Sequence, residues 1–100
     1  MTDTSKFNRL AKELLPALIQ YVPVVDRVHG DHHPEFHEVR RIFTDVYEKT
    51  MIAQPGNPDL QKEFARLQEV TQGYSVPTDV CETYEAVYDM LKKLNEAYKF

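Results

Sequence analysis

The strongest constraint on the fold is the spacing of apolar residues, which follows a helical period along nearly the whole chain. No segment alternates apolar and polar residues as a half-buried strand does. Four amphipathic segments are joined by short connections, and such connections place successive helices antiparallel to each other. The sequence therefore predicts an all-α fold, an up-down antiparallel four-helix bundle, in a single domain covering residues 1–100.

The first predicted helix is long and contains two prolines. It should begin after Thr4 or Ser5 as N-cap and end at Gly30. Pro16 and Pro23 each lack the N–H of a helical hydrogen bond, so the helix is predicted to be kinked or broken at Pro23. Its buried row is predicted to consist of Phe7, Leu10, Leu14, Leu18 and Val25.

Glycines, prolines and capping residues mark the other three helices. Helix 2 should open around Pro34, which suits a first turn, and stop before the turn cluster QPGNP at 54–58. Helix 3 should start with Asn57 and its following Pro-Asp pair and close at Gly73. Helix 4 should begin with Thr78 as N-cap and continue to the end of the sequence.

The face of helix 4 carries the only cysteine and several tyrosines. Cys81 has no second cysteine for an internal disulfide, and its position predicts a small residue buried beside Tyr84. The alternative is a redox thiol, because the dipole at the start of a helix favours a thiolate. Tyr84, Tyr88 and Tyr98 are predicted to lie at the core edge with their hydroxyls reaching water. No Cys/His pair is expected, because every histidine lies in one distant segment.

Composition excludes several classes of partner. The chain is 42% hydrophobic and 28% charged, which is typical of a globular protein. A net charge of −4 opposes binding to nucleic acid, which needs clustered basic residues. The opening segment MTDTSKFNRLAKELL is neither a secretory leader nor a membrane span. We therefore predict a cytoplasmic protein that binds neither nucleic acid nor membranes.

The segment VHGDHHPEFHEVRR, residues 28–41, contains the chain's four histidines: His29, His32, His33 and His37. His33 and His37 are four residues apart and share one helical face, so together with His29 they could bind one metal ion. Asp31 or Glu38 could add a carboxylate, and such a set suits zinc, iron or nickel. The alternative is a helix junction in which neutral imidazoles act as caps or packing groups.

Two segments resemble the Ric (repair of iron centres) proteins, a group of hemerythrin-like di-iron proteins. LLPALIQYVPVVDRVHGDHHPEF, residues 14–36, has the family's leucine-proline pair, Arg-Val-His-Gly and His-Pro-Glu. LQEVTQGYSVPTDVCETYEAVYDMLKKL, residues 67–94, has its Pro-x-Asp-x-Cys and Thr-Tyr-x-Ala-x-Tyr patterns. The resemblance covers about half of the chain, and it implies a hemerythrin-like four-helix bundle.

The resemblance implies iron ligands at positions where this sequence mostly has other residues. The family's histidine in Arg-Val-His-Gly falls on His29, which would be an iron ligand. The helix 1 histidine would fall near Asn8, the helix 2 pair around 49–54, and the histidine opening helix 3 near Asn57, and none of these positions holds a histidine. The last His-x3-Glu pair would follow Phe100. A standard di-iron centre is therefore not expected.

Three functional hypotheses follow. The first is an accessory or regulatory binding module, not an enzyme, connected with iron-sulfur cluster repair or with nitrosative or oxidative stress. The second is a metal-binding protein that holds iron or zinc at a site built from the histidines and neighbouring acids, either within one chain or with ligands from a second subunit: His29, His32, His33 and His37. The third is a helical interaction domain that binds a protein partner or itself, because helix 1 carries further apolar residues outside its main row: Leu15, Ile19, Val22 and Val24.

Overall fold

The computed structural model describes residues 4–54 and 56–98, with the side chains of Thr4 and Ser5 outside the described part. Four helices follow in chain order: α1 (Thr4–His29), α2 (Glu35–Ala53), α3 (Gln61–Thr71) and α4 (Glu82–Tyr98). α1 packs against both α4 and α2, and α2 packs against α3. The predicted all-α four-helix bundle is thus confirmed, and residues 4–54 and 56–98 contain no strand.

α1 is one continuous helix that includes both prolines, so the predicted alternative of a broken helix is wrong. Pro16 and Pro23 leave the carbonyls of Lys12 and Ile19 without the N–H that would bond to them in an uninterrupted helix. Packing compensates for this loss, because α1 buries a row of residues at spacings of three and four: Phe7, Ala11, Leu15, Leu18, Val22 and Val25. The helix ends at His29, as expected, and the predicted cap at Thr4 or Ser5 lies outside the described side chains.

The buried row of α1 is rotated from the predicted one. Leu10 and Leu14 pack only at the margin of the core, whereas Leu15 and Val22 are 5% and 1% exposed. Leu15 and Val22 are therefore core residues, which corrects the interaction hypothesis, because that hypothesis counted both as apolar residues outside the main buried row. Apolar residues cover more than one stripe of this helix, so their spacing alone does not identify the innermost one.

α4 begins at Glu82, four residues after the predicted N-cap at Thr78. Residues 78–80 form a turn, and the first backbone bond of the helix runs from the Glu85 N–H to the Cys81 carbonyl at 3.2 Å. Cys81 consequently lies at the entrance of the helix and is exposed, so the prediction that it is buried was wrong. The turn also carries Asp79 to the junction between α1 and α2, where it contacts a histidine.

α3 is followed by three consecutive residues with left-handed backbone: Gln72, Gly73 and Tyr74. The Gly73 N–H donates to the Gln68 carbonyl at 2.8 Å, which closes the helix near the predicted glycine. The Thr71 hydroxyl donates to the Leu67 carbonyl at 2.6 Å and accepts from the Tyr74 N–H at 2.8 Å. These bonds hold Tyr74 in a conformation that is unusual for a bulky side chain.

Candidate functional site

One end of the bundle brings together residues from three parts of the chain. The C-terminus of α1, the start of α2 and the turn before α4 meet there. His29 Nε2 lies 3.2 Å from the sulfur of Cys81, a residue 52 positions later in the chain. The Cys81 thiol is exposed, so a reagent in solution can reach it. Either the thiol donates to Nε2 or Nε2–H donates to the sulfur, depending on the tautomer of His29.

His33 lies beside this pair and bridges two carboxylates. Its Nδ1 is 3.1 Å from Glu35 Oε2, and its Nε2 is 2.9 Å from Asp79 Oδ1. Burial lowers the pKa of His33, but the hydrogen bonds and charges of Asp79 and Glu35 outweigh burial and raise that pKa above 6.5. The hydrogen bond from His33 in turn lowers the pKa of Asp79. When it is protonated, the imidazole donates to both carboxylates and so fastens the turn before α4 to the start of α2.

The ring of Tyr84 forms the floor of the site. The rings of His29 and His33 contact it edge to face, with centroid distances of 5.4 and 5.8 Å. Tyr84 is fully buried, and its hydroxyl is 3.1 Å from the Tyr88 hydroxyl in the core. Burial raises the pKa of both hydroxyls. The prediction that these two hydroxyls reach water was wrong.

Tyr98 lies farther from the site, at the start of α3, and is half-buried. Its hydroxyl donates to the Pro58 carbonyl at 3.1 Å and accepts from the Leu60 N–H at 2.7 Å. Its partly buried position at the edge of the core is as predicted, and both hydrogen bonds of its hydroxyl are made within the protein. Tyr98 thus ties the last turn of α4 to the entrance of α3.

His37 has a different partner from His29 and His33. Its Nδ1 lies 2.5 Å from Asp26 Oδ1, while Arg40 Nη1 donates to Asp26 Oδ2 at 3.1 Å. Asp26 is 8% exposed, and no donor within the described residues is aligned with its Oδ1 in hydrogen-bond geometry. The contact with His37 is therefore electrostatic when the imidazole is protonated. The fourth histidine, His32, is exposed.

Gly30 provides the space in which α1 and α2 approach each other at this end. Its N–H donates to the Asp26 carbonyl at 2.8 Å, and its backbone is not left-handed. A Cβ atom at this position would contact the Asp26 carbonyl oxygen and would lie 2.6 Å from Cε1 of His37. A glycine is needed here because of the close contacts and not because of its conformational freedom.

The arrangement of the histidines does not suit a single metal ion. Within residues 4–54 and 56–98, no three His, Cys, Asp or Glu side chains are grouped so that they could hold one. His29 faces Cys81, His33 faces Glu35 and Asp79, and His37 faces Asp26. The metal site at His29, His33 and His37 stays a prediction, which would require rearrangement or donors from another chain.

The positions that would supply further iron ligands have other contacts. The Asn8 side-chain amide donates to the Gly56 carbonyl at 3.2 Å. Lys49 forms an ion pair of 2.8 Å with Glu63. These side chains link elements of the bundle, and neither an amide nor an ammonium group replaces a histidine as an iron ligand. The residues present therefore do not fit a hemerythrin-type di-iron centre.

Cys81 and Asp79 are the site residues that the histidine pattern alone did not reveal. The expectation that no Cys/His pair forms was wrong, because folding brings the segment before α4 to the histidine-rich junction. Both residues belong to the Pro-x-Asp-x-Cys pattern in the second segment that resembles the Ric proteins. That pattern was the available signal that they share a site with His29.

Comparisons with known proteins give no relative: no family model matches the sequence, and neither a curated protein nor a solved structure matches it. Among the described residues, no helix combines the length and the apolar character needed to cross a bilayer.

Proposed function

We propose that this chain is an accessory module of iron-centre repair, related to the Ric proteins, that acts in nitrosative or oxidative stress through the Cys81–His29 pair. In this proposal the working group is the Cys81 thiol, and His29 handles its proton. A di-iron centre has no part in it. The four-helix bundle holds the thiol at one exposed end, where a small reagent or a partner protein can reach it.

The observation that carries the proposal is the 3.2 Å contact between His29 Nε2 and the Cys81 sulfur. The two segments that resemble the Ric proteins are far apart in sequence, yet their motif residues meet here. His33 of the first segment also contacts Asp79 of the second at 2.9 Å. A cluster formed by motif residues of both segments is what a shared functional site predicts, whereas structural residues would be spread along the bundle.

In this pair, His29 can act as a base that takes the proton of the Cys81 thiol. A thiolate, and not a thiol, is the attacking species, so a neighbouring base that takes the proton increases reactivity. The imidazole of His29 lies at hydrogen-bond distance and is itself held against Tyr84. On meeting an S-nitrosothiol, the Cys81 thiolate attacks the nitroso nitrogen. The nitroso group moves to Cys81, and the donor's thiolate leaves and takes up a proton.

Transfer from S-nitrosoglutathione tests the proposal. We expect Cys81 to be nitrosated, as detected by intact-mass spectrometry, and His29→Ala to slow the reaction at neutral pH by about tenfold or more because the base is removed. His32→Ala is the matched control, since His32 is an exposed histidine of the same segment. Its rate should equal that of the wild type. Cys81→Ser should abolish the product.

Equal rates for His29→Ala and the wild type would refute the role of the pair. Iron content, measured in the same preparations after purification under reducing, iron-replete conditions, separates this proposal from the metal-binding hypothesis. The thiol proposal expects iron far below one atom per chain. Stoichiometric iron that is lost in His29→Ala would instead favour a metal centre at the junction.

A further inference from the structure

A second candidate site lies toward the opposite end of α1 from the histidines. A groove of about 720 Å³ runs between α1 and α2, within the size range of pockets that bind small molecules. It extends along α1 from Asn8 to Ile19, a rise of about 16 Å for an α-helix. None of the residues of the Cys81–His29 site lines it, so the two sites are separate.

The groove has an apolar end and a polar end. Leu15, Pro16 and Ile19 of α1 face Tyr47 and Met51 of α2 along the apolar part. Ile19 and Met51 are 41% and 52% exposed, which leaves apolar surface uncovered. A ligand with an acyl chain or another slender apolar body would remove this surface from water.

Two buried oxygen atoms of residues that line the groove have no hydrogen-bond partner in the described residues: Asn8 Oδ1 at the polar end and Thr50 Oγ1. Thr50 is only 1% exposed, yet it lines the groove. The Asn8 amide nitrogen is already used in the bond to the Gly56 carbonyl, so its oxygen can only accept. Buried polar atoms are normally paired, and a ligand that offers a hydroxyl or N–H would satisfy the Asn8 oxygen.

The rim at the same end is basic. Arg9 and Lys12 line the groove, both side chains are exposed, and neither forms an ion pair within the residues that the structure describes. The missing N–H of Pro16 also frees the Lys12 carbonyl as an acceptor. The two basic side chains can bind a ligand carboxylate, and the unpaired oxygens beside them can accept a hydrogen bond from a donor group next to that carboxylate.

We propose that this groove binds a small amphipathic carboxylic acid. Its carboxylate lies at Arg9 and Lys12, an adjacent hydroxyl or N–H donates to Asn8 Oδ1, and Thr50 supplies a further hydrogen bond. The apolar tail lies along Leu15, Ile19 and Met51. The class includes medium-chain hydroxy acids and N-acyl amino acids, which share this order of groups.

Calorimetric titration with 3-hydroxydecanoate, below its micelle concentration, tests the site. Decanoate lacks the hydroxyl, and 1-decanol lacks the carboxylate. We expect one equivalent of 3-hydroxydecanoate to bind, with decanoate and decanol each about tenfold weaker or more. Lys12→Met should weaken 3-hydroxydecanoate to a similar extent. Lys92→Met, the same change at an exposed lysine of α4, should leave its affinity unchanged.

Thr50→Val separates a binding role from a structural one. Because the Thr50 hydroxyl is buried without a partner, its replacement by an isosteric methyl group should leave the thermal midpoint unchanged or raise it. It should nevertheless weaken 3-hydroxydecanoate. The proposal is overturned if the acid does not bind at millimolar concentration, if Lys12→Met and Lys92→Met bind alike, or if decanol binds as tightly as the acid. Binding that occurs only as the protein dimerises would assign the groove to a second copy of the chain and would also overturn it.

Discussion

The hydroxyls of Tyr84 and Tyr88 provide a stringent test of the core beneath the Cys81–His29 site. Each hydroxyl is buried, and the 3.1 Å hydrogen bond between them is the one they form among the described residues. Tyr88→Phe would leave the Tyr84 hydroxyl buried without a partner, at a cost of about 2 kcal/mol in the free energy of unfolding. For a domain of this size, that cost lowers the thermal midpoint by roughly 8 to 16 °C.

The double variant Tyr84→Phe/Tyr88→Phe should be more stable than either single variant. It removes both polar groups together, so no buried donor or acceptor is left unpaired, and we expect stability within about 1 kcal/mol of the wild type. Urea unfolding followed by far-ultraviolet circular dichroism measures all four proteins, since this signal does not depend on tyrosine fluorescence. Single variants as stable as the wild type, or losses that simply add in the double variant, would refute the buried pair.

Two further predictions concern the junction itself. The pKa of His33 is raised in the folded state, so the stabilising effect of His33 is complete below the unfolded value of 6.5 and is lost as the pH rises through the folded value. The difference in free energy of unfolding between the wild type and His33→Gln should therefore shrink between pH 6 and 8. A difference that stays constant over this range would contradict the contacts with Asp79 and Glu35. Gly30→Ala should destabilise the protein by about 1–3 kcal/mol, because the added Cβ atom would clash with the Asp26 carbonyl oxygen and the His37 ring. Thermal unfolding measures this loss, and an unchanged midpoint would contradict the close contact between α1 and α2 at Gly30.

Local sequence signals were sufficient for most of the fold. Helical spacing identified all four helices, and the cluster at 54–58 predicted the end of α2, which ends at Ala53. Local signals failed where tertiary contacts determine the position at which a helix begins. Thr78 has the chemistry of an N-cap, but the contact between Asp79 and His33 holds that segment against the junction, and α4 begins only at Glu82. The exposure of Cys81 follows from this shift.

Local sequence signals identified the histidines of the candidate site but not the residues that contact them, because those contacts are tertiary. The histidine-rich segment is evident in the sequence, whereas the partner of His29 lies 52 residues away, and spacing along a helix cannot relate residues that far apart. Spacing on a helix also suggested that His33 and His37 act together. Instead, the burial of Asp26 at the end of α1 provides His37 with its own carboxylate. The groove between α1 and α2 has no sequence signature, since it results from the way two helices pack.

The pairing of α1 with α4 has a consequence for how the chain reaches this structure. α1 packs most extensively on α4, the helix farthest from it in sequence, so the central contacts of the core join distant residues. Helical bundles dominated by local contacts fold fastest, and bringing distant segments together carries an entropic cost that slows folding. During synthesis, the part of α1 that packs on α4 stays uncovered until α4 has left the ribosome, although α2 can already cover another part of it. The Cys81–His29 pair forms only after α1 and the segment before α4 have come together, so a reagent that reaches the thiol earlier finds it without its imidazole partner.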